Sequence, residues 1–520
     1  MNRATAGAVL LLLGLVLGAC RVTPEAVPHA AQPGVDVLAY RVALAVEPET
    51  RHVEGEAVLT VRHADTLAAL TLGLAETMTV RAVRVGARAA PFEHARGRLR
   101  VGLACGDTLS RVAVAYAGTP GAGLYREHYL GHAVTWTDAW PLRAAHWLPA
   151  VHRPDDAATL DLSLAVPSSV RAVASGVPVR DSVAGGVRHA RFVLERPAPV
   201  YTFAFALADF VFVEDAPTRA GVPVRHALLP PDADAAPRLA RTAAVLDTLA
   251  ALLGPYPYAS YTTVQVPHRY AGMENAAAPF LQAALYRDRR AGRVLAEEVN
   301  IHEAVHQWFG NTVVPADWAD LWLAEAPATY LTAVVLGRLD GPEAERQALA
   351  RMAALAPADA RRRLVPRRYA RPDEVLSATV YQKGGAVWHL LRLSLGDAAF
   401  LEAVRGLATR YAARPLSTDA FQAEMEAAAG RPLAPLFAFW VHGTGQPTLR
   451  VRWSRRDRTL AWRVVGDEDT LAGLPLELIL RQDGRDYVVS LADGRAVFTG
   501  ETRPEVLPVG VPLRVRYAWW

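Results

Sequence analysis

Five consecutive residues near the middle of the chain carry the groups that metal-dependent hydrolysis requires. His302 and His306 are four positions apart, so a helix would place both imidazoles on one face with Glu303 beside them. Glu325 follows His306 by nineteen positions and adds a carboxylate from a later element. Two histidines and one carboxylate form a ligand set for Zn²⁺ that leaves the fourth coordination position open for water. The pattern predicts a catalytic zinc hydrolase site with one zinc ion per chain.

Two helices must position these groups. The first is predicted over residues 292–310, because Gly310-Asn311 is typical of a helix end. The second should begin near Leu323, since a proline at position 327 is tolerated close to the start of a helix and would break its interior. Glu325 would then lie in the first turn of this second helix.

The rest of the chain separates by periodicity into three domains after its N-terminal segment. Residues 35–210 alternate between apolar and polar types with frequent Gly, Pro and Asp breaks, which predicts an all-β domain. Helical spacing dominates much of residues 211–446, which predicts a mixed α/β catalytic domain with a helical extension. Alternation returns in residues 447–520, with Asp-Gly turns at 483–484 and 493–494, which predicts a small β-sandwich-like domain. The predicted fold class is multidomain α+β.

Residues 1–20 are typical of a bacterial lipoprotein signal peptide. Arg3 is followed by a short apolar run, and Leu17-Gly18-Ala19 precede Cys20, the expected lipidation site. A transmembrane helix is the alternative, but the apolar run is shorter than the ~20 residues that a span requires. Residues 21–34 would form a tether. We therefore expect a protein anchored by lipid at Cys20 in the bacterial cell envelope, facing the periplasm or the exterior.

Composition excludes several other classes of protein. The 520 residues are 52% hydrophobic and 21% charged, as in a folded multidomain protein. The net charge of +4 is small for this length, and we see no nucleic-acid module. Cys105 is the only cysteine besides Cys20, so no disulfide is expected. The basic segment from Arg361 to Arg371 is interpreted as a solvated loop, with a role at a membrane or a substrate carboxylate as the alternative.

Three separate segments resemble the aminopeptidase N family of zinc metallopeptidases, which includes the leukotriene hydrolase branch. Tyr270-Ala271-Gly272-Met273-Glu274-Asn275 is similar to the Gly-x-Met-Glu-Asn motif of the family. The segment 302–311 with Asp320-Leu321-Trp322-Leu323 is similar to its zinc block, and Val380-Tyr381-Gln382-Lys383-Gly384-Gly385 to its tyrosine segment. The resemblance implies a saddle-like N-terminal β domain and a thermolysin-like catalytic domain.

The resemblance also implies a role for each matching residue. His302, His306 and Glu325 would bind zinc, Glu303 would act as the general base, and Tyr381 would stabilise the oxyanion. Substrate-binding residues would be Gly272, Met273, Glu274 and Asn275, with Glu274 anchoring the free α-amine of a peptide. Asp138 is the candidate for a second group at that amine, and a surface aspartate in a loop is the alternative interpretation. At Ala271, Ala324 and Ala326 the chain departs from the residues usual in the family's motifs. These departures leave the predicted ligands intact and affect the shape of the pocket for the first side chain of the substrate.

The leading hypothesis is a zinc-dependent aminopeptidase that hydrolyses the N-terminal bond of peptides outside the cytoplasm. We expect a monomer whose partners are peptides with a free N-terminus and the membrane that holds the anchor, with no nucleic acid. One alternative is another zinc hydrolase, either an endopeptidase, against which Glu274 argues, or an epoxide hydrolase. The other alternative is a non-catalytic surface lipoprotein that uses the same fold as a scaffold.

Overall fold

The computed structural model describes residue 32 and residues 34–287, 292–356, 362–467, 471 and 473–518. The predicted signal peptide, Cys20 and most of the tether lie outside these residues. The described chain divides into two compact units. The first contains the described residues up to Ala250, together with Pro255–Asp317 and Tyr411–Pro415, and the second contains Ala251–Gly254, Trp318–Arg410 and the described residues from Leu416 onward. Within these described ranges, we find no helix long and apolar enough to cross a membrane.

The first unit is built on an eight-stranded sheet whose inward residues form a large apolar core. Buried and exposed residues alternate along Asp36–Glu47, as expected for a strand with one face on the core. That strand pairs in parallel with Ala157–Pro167 and antiparallel with His52–Arg62. The strands follow one another across the sheet in the order Val177–Ala184, Val187–Pro199, Ala157–Pro167, Asp36–Glu47, His52–Arg62, Leu109–Gly118, Met78–Val85 and Arg88–Ala89.

Two smaller sheets complete the N-terminal β region. The first is four-stranded, in the order Arg171–Ala174, Phe205–Ala208, His132–Thr137 and Leu124–Tyr129. The second is three-stranded, in the order Ala69–Gly73, Arg98–Gly102 and Phe92–Ala95. Short 3₁₀ turns connect these strands at Arg143–His146 and Val200–Thr202.

A five-stranded sheet and two helices follow in the same unit. The strand order is Val211–Glu214, Val224–Leu228, Tyr261–Val266, Phe280–Gln282 and Gly272–Met273. Gly272–Met273 is therefore an edge strand, paired antiparallel with Phe280–Gln282. The helices are Thr242–Leu253 and Gly292–His306, and 3₁₀ turns span Pro230–Leu239 and Ala283–Tyr286. We call Gly292–His306 the zinc helix.

The second unit is helical in its first part. Its helices are Trp322–Asp340, Pro342–Leu355, Gly384–Leu395, Asp397–Arg410, Thr418–Ala429 and the short Ala434–Leu436. Two single π-helical turns span Thr379–Lys383 and Phe437–Val441, and 3₁₀ turns span Trp318–Asp320 and Pro372–Glu374. We call Trp322–Asp340 the Glu325 helix and Thr379–Lys383 the tyrosine turn. The short strand Val313–Pro315 belongs to the first unit, as do the first two residues of the short strand Arg414–Leu416.

The C-terminal residues form two small sheets. One has the order Arg495–Val497, Thr459–Val465, Thr448–Ser454 and Arg514–Ala518, and the other Arg485–Ser490, Glu477–Gln482 and Glu505–Pro508. A 3₁₀ turn spans Leu491–Asp493. Asp483 and Gly484 both have positive φ, as the predicted Asp-Gly turn requires.

The structure bears out the predicted fold class, with a sheet-rich N-terminal region followed by mixed and then helical segments. One predicted boundary is wrong: the zinc helix ends at His306 and not at Gly310. The backbone N–H groups of Gln307 and Trp308 donate to carbonyls three residues back, so the chain tightens into a turn. Gly310 then adopts a positive φ of 120°, which a residue with a side chain rarely adopts. The predicted start of the second helix is correct to within one residue, at Trp322.

Candidate active site

The zinc helix presents two imidazoles side by side. The Nε2 atoms of His302 and His306 are 3.1 Å apart. Two nitrogens at 2.0–2.1 Å from one tetrahedral zinc ion would be about 3.3–3.4 Å apart, so this spacing fits a shared metal. His306 is buried, while His302 is half-buried. The donor chemistry and the separation of this pair both fit Zn²⁺.

A backbone contact fixes the orientation of His306. Its Nδ1 lies 3.0 Å from the carbonyl oxygen of Phe309, in the turn that ends the helix. A carbonyl accepts only from a protonated nitrogen, so the proton of a neutral ring is placed on Nδ1 and the Nε2 lone pair is left for a metal. The tight turn after the helix is therefore part of the site.

Two carboxylates lie next to His306 in the same unit. Ligand atoms of Glu274, Glu303 and His306 all lie within 4.8 Å of one another, and all three side chains are buried. Glu303 occupies the zinc helix, whereas Glu274 follows the edge strand Gly272–Met273. The structure thus brings the predicted general base and the predicted amine anchor together beside a predicted zinc ligand.

Amide side chains hold the strand segment against the zinc helix. Asn311 Nδ2 donates to the carbonyl of Glu274 at 2.7 Å. Gln307 Oε1 accepts from the backbone N–H of Ala277 at 2.9 Å, and its Nε2 donates to the carbonyl of Glu303 at 3.1 Å. Each amide therefore joins the segment that follows the edge strand to the helix end, which sets the distance between Glu274 and Glu303.

The remaining motif residues differ in their surroundings. A Cβ added at Gly272 would lie 2.1 Å from Glu303 Oε1, so the missing side chain makes room for that carboxylate. Met273 is buried, with 5% of its surface exposed. Asn275 is fully buried, and in the described part of the chain neither polar atom of its amide has a hydrogen-bond partner.

Asp138 is a buried member of an ion-pair cluster in the N-terminal β region. Its Oδ2 pairs with Arg143 Nη2 and lies 3.7 Å from His268 Nε2. Burial alone would raise the pKa of the Asp138 carboxyl, but the charge of Arg143 and the nearby His268 outweigh it and lower that pKa. Asp138 is therefore not an aspartate on an exposed loop, and its role at the substrate amine stays a prediction.

The second unit carries the predicted third ligand. Glu325 is buried in the first turn of the Glu325 helix, as predicted. The entry to that helix is fixed by Asp320, whose Oδ1 accepts from the backbone N–H of Thr418 at 3.0 Å and from its hydroxyl at 2.6 Å. Trp322 Nε1 donates to the same hydroxyl at 2.9 Å. The start of the helix is thus held through Thr418.

Tyr381 lies in the middle of the tyrosine turn, which packs on the Glu325 helix. The turn leads into helix Gly384–Leu395, and a Cβ at Gly384 would be only 2.7 Å from the Cβ of Ala326, the neighbour of Glu325. Gly384 therefore permits a close approach of the two segments. Tyr381 is half-buried, and it sits in the kind of single π turn that often occurs at functional sites.

Gln307 and Lys383 have contacts at the site that spacing alone did not reveal. Three of the four asparagines of the chain lie at positions 275, 300 and 311, and Asn300 Oδ1 accepts a hydrogen bond from Tyr261 Oη at 2.9 Å. No sequence pattern singles out Gln307.

This arrangement of an edge strand, a helix with two histidines and a base, and a second carboxylate defines a metallopeptidase-like centre. Residues 239–440 match the peptidase family M1 domain. This part of the chain is a peptidase family M1 domain, which confirms the resemblance to the aminopeptidase N family.

Several named proteins are similar to this chain. Leucine aminopeptidase 2 of Coccidioides immitis is 27% identical over 316 residues, covering 56% of this chain and 48% of that protein. Aminopeptidase M1 of Arabidopsis thaliana is 26% identical over 365 residues, covering 64% of this chain and 40% of that protein. The chain thus spans about half or less of the length of these relatives.

Solved structures extend the similarity over more of the chain. A mutant of an M1 zinc metallopeptidase from Deinococcus radiodurans superimposes with a TM-score of 0.71 and 26% identity, covering 81% of this chain and 97% of that one. The same mutant has been solved with a Tyr-Ser-Ala substrate. Aminopeptidase A of Legionella pneumophila, at 17% identity and a TM-score of 0.75, shares the fold over 94% of this chain. The predicted zinc cofactor is confirmed at the level of the family.

Proposed function

We propose that the protein is a zinc-dependent aminopeptidase that removes the first residue of peptides with a free N-terminus. The observation that carries the proposal is the group formed by Glu274, Glu303 and His306, whose ligand atoms lie within 4.8 Å of one another. A base and a second carboxylate beside one histidine offer positions for the attacking water and for a substrate ammonium. The aminopeptidase names of the relatives and the Tyr-Ser-Ala complex of the bacterial neighbour support the same activity.

His302, His306 and Glu325 would hold the metal. When bound, zinc lowers the pKa of a water molecule and polarises the carbonyl of the bond to be cleaved. Glu303 would take a proton from the attacking water and later deliver it to the leaving amine. The glycine at position 272 gives the Glu303 carboxylate room to lie against the edge strand.

Glu274 would make the enzyme an exopeptidase. Its carboxylate pairs with the α-ammonium group of the substrate, so the first peptide bond is the one that reaches Glu303. An internal peptide bond offers no ammonium to pair with that carboxylate. Tyr381 donates a hydrogen bond from its phenolic hydroxyl to the oxygen on which negative charge develops.

The edge strand Gly272–Met273 gives the substrate backbone a place to bind. One side of this strand pairs with Phe280–Gln282, which leaves its other side as the edge of the sheet. An extended peptide can add to such an edge through main-chain hydrogen bonds. The strand runs directly into Glu274, so a peptide bound there would place its N-terminus near the anchor.

We also propose that the protein acts outside the cytoplasm, anchored through lipid on Cys20, and as a monomer. The sequence of the first twenty residues is the support for the anchor. Substitution Cys20→Ser should release the protein from the membrane fraction of the producing cells. Retention of the variant in that fraction would contradict a lipid anchor.

The activity is tested with purified protein from residue 21 onward. Zinc content is measured, and hydrolysis of free-amine aminoacyl reporters is compared with that of their N-acetylated counterparts. We expect about one zinc per chain, cleavage only of the free-amine set, and a loss of roughly 10²–10⁴-fold in kcat for Glu303→Gln with zinc retained.

Other outcomes favour the alternatives. Cleavage of acetylated peptides at internal bonds would indicate an endopeptidase. Zinc binding with hydrolysis of an epoxide and of no peptide would indicate the leukotriene hydrolase branch. A protein that binds no zinc would be a scaffold.

A further inference from the structure

Lys383 is the single lysine among the 56 lysines and arginines of the chain. It is the last residue of the tyrosine turn, two positions after Tyr381, and only 8% of its surface is exposed. A buried ammonium group loses hydration and must regain contacts from the protein. The only lysine of the chain is therefore a buried cation close in the sequence to the predicted oxyanion-stabilising tyrosine.

The ammonium of Lys383 joins the tyrosine turn to a second irregular segment of the same unit. Its Nζ donates to the carbonyl of Gly443 at 3.0 Å. Gly443 follows the π-helical turn Phe437–Val441, and a Cβ at this position would lie 2.3 Å from the carbonyl oxygen of Phe439. The tight backbone at Gly443 thus fixes where its carbonyl points.

The tyrosine turn requires support of this kind. The N–H of Gly384 donates to the carbonyl of Thr379, five residues earlier, so the turn is wider than an α-helical turn. Such π turns are rare and occur singly, and their geometry is retained where the surroundings favour it. The bond from Lys383 to Gly443 connects the end of the turn to a backbone that does not belong to its own helix.

The chemistry of this contact favours lysine over arginine. Burial lowers the pKa of Lys383 to about 8. A lysine ammonium is a compact donor on a flexible stem, whereas the guanidinium of arginine is a planar fork with five donors. The contact with the carbonyl of Gly443 suits the compact ammonium, and this fits the presence of lysine in a chain whose other 55 such cations are arginine.

We propose that Lys383 is a positioning residue that holds Tyr381 in place through the carbonyl of Gly443. The inference rests on the proposed function, in which Tyr381 stabilises the oxyanion. Loss of the ammonium leaves the substrate anchor and the base unchanged, but it lets the turn that carries the phenol relax. The effect should therefore appear in kcat and leave KM nearly unchanged.

The test combines Lys383→Met with Lys383→Arg, each in the wild-type and the Tyr381→Phe background. In the wild-type background we expect both changes to lower kcat by about 10- to 100-fold, as for a catalytic group displaced by about 1 Å. In the Tyr381→Phe background the same changes should alter kcat by about twofold at most, because the group on which they act is gone. Zinc content should stay the same in all variants.

Hydrogen–deuterium exchange supplies a readout that does not depend on activity. Lys383→Met should accelerate amide exchange in residues 379–384 by about tenfold and leave the zinc helix unchanged. If Lys383→Met does not fold, Lys383→Arg is judged by the same kinetic and exchange criteria.

The inference and the proposed function fail in different ways. A wild-type protein that hydrolyses no free-amine reporter would overturn the proposed function, while exchange in residues 379–384 would still decide whether Lys383 holds the turn. Unchanged kcat in both variants, an equal loss in the Tyr381→Phe background, or unchanged exchange would overturn the role of Lys383.

Discussion

Substitution Gly384→Ala tests whether the close approach of the tyrosine turn to the Glu325 helix matters for catalysis. The added Cβ would lie 2.7 Å from the Cβ of Ala326 and 3.5 Å from its Cα. Two methyl carbons in contact are normally about 3.8 Å apart, so one segment must move by about 1 Å. Ala326 belongs to a rigid helix and is the neighbour of Glu325, so a rotamer change cannot relieve the overlap.

The expected effect on rate exceeds the effect on stability. A displacement of about 1 Å of a catalytic group can lower the rate by roughly 100-fold, which corresponds to about 2.7 kcal/mol of activation free energy. Overpacking typically costs about 1–3 kcal/mol of unfolding free energy, partly offset by up to about 1 kcal/mol of helix propensity gained over glycine. Gly384→Ala should therefore fold, bind zinc and turn over slowly.

Gly385→Ala is the matched control. It makes the same chemical change at the next residue of the same helix, but its Cβ would meet the Sδ of Met352 at 2.5 Å. A methionine side chain is flexible and can move aside. We expect kcat/KM within about threefold of wild type for Gly385→Ala, measured on a free-amine aminoacyl reporter together with the thermal midpoint. If Gly384→Ala were as active as Gly385→Ala, the close approach would have no role in positioning Tyr381.

Two further predictions concern carboxylates of the first unit. Glu274→Gln should lower kcat/KM for free-amine substrates by about 10- to 100-fold, because a hydrogen bond to a charged group is worth about 1.5–3 kcal/mol. The role of Glu274 would be contradicted if the wild-type protein cleaved acetylated and free substrates at the same rate. Burial raises the pKa of Asp156 to about 7, although its Oδ1 accepts from the backbone N–H of Val37 at 2.9 Å. The folded protein then holds a proton that the unfolded chain releases near pH 3.8, so stability falls as pH rises from about 4 to 7 and is constant above. Asp156→Asn should remove this loss of stability and raise the free energy of unfolding at pH 8 by about 2–4 kcal/mol, measured by chemical denaturation. If the variant kept the pH dependence of the wild-type stability, the assignment to Asp156 would be wrong.

Local chemistry in the sequence was sufficient to predict the two helices that carry the candidate ligands. The four-residue spacing of His302 and His306 has one simple consequence on a helix, and the structure shows their Nε2 atoms 3.1 Å apart. Pro327 restricted the start of the Glu325 helix for an equally local reason. Alternation of apolar residues predicted the N-terminal sheets, since strand periodicity depends only on neighbouring residues.

Contacts between distant segments were not accessible in this way. Asp138 was singled out as a possible substrate contact, and no pattern indicated its pairing with Arg143. The end of the zinc helix was misplaced by four residues, because the bond from His306 Nδ1 to the Phe309 carbonyl favours an earlier turn. Both features depend on where backbone and side chains meet after folding.

The sequence alone determined the chemical identity of the site: two imidazoles, a base and a carboxylate in an order and spacing that suit zinc. The tertiary structure decided how these groups are held, through Asn311 on the carbonyl of Glu274, Lys383 on the carbonyl of Gly443, and Gly384 against Ala326. The physical reason is that the spacing of side chains on one helix is set by the 3.6-residue period that all α-helices share, so it can be read from the sequence. Which carbonyl a distant side chain will reach, or which two segments will approach closely, is decided only when the chain folds.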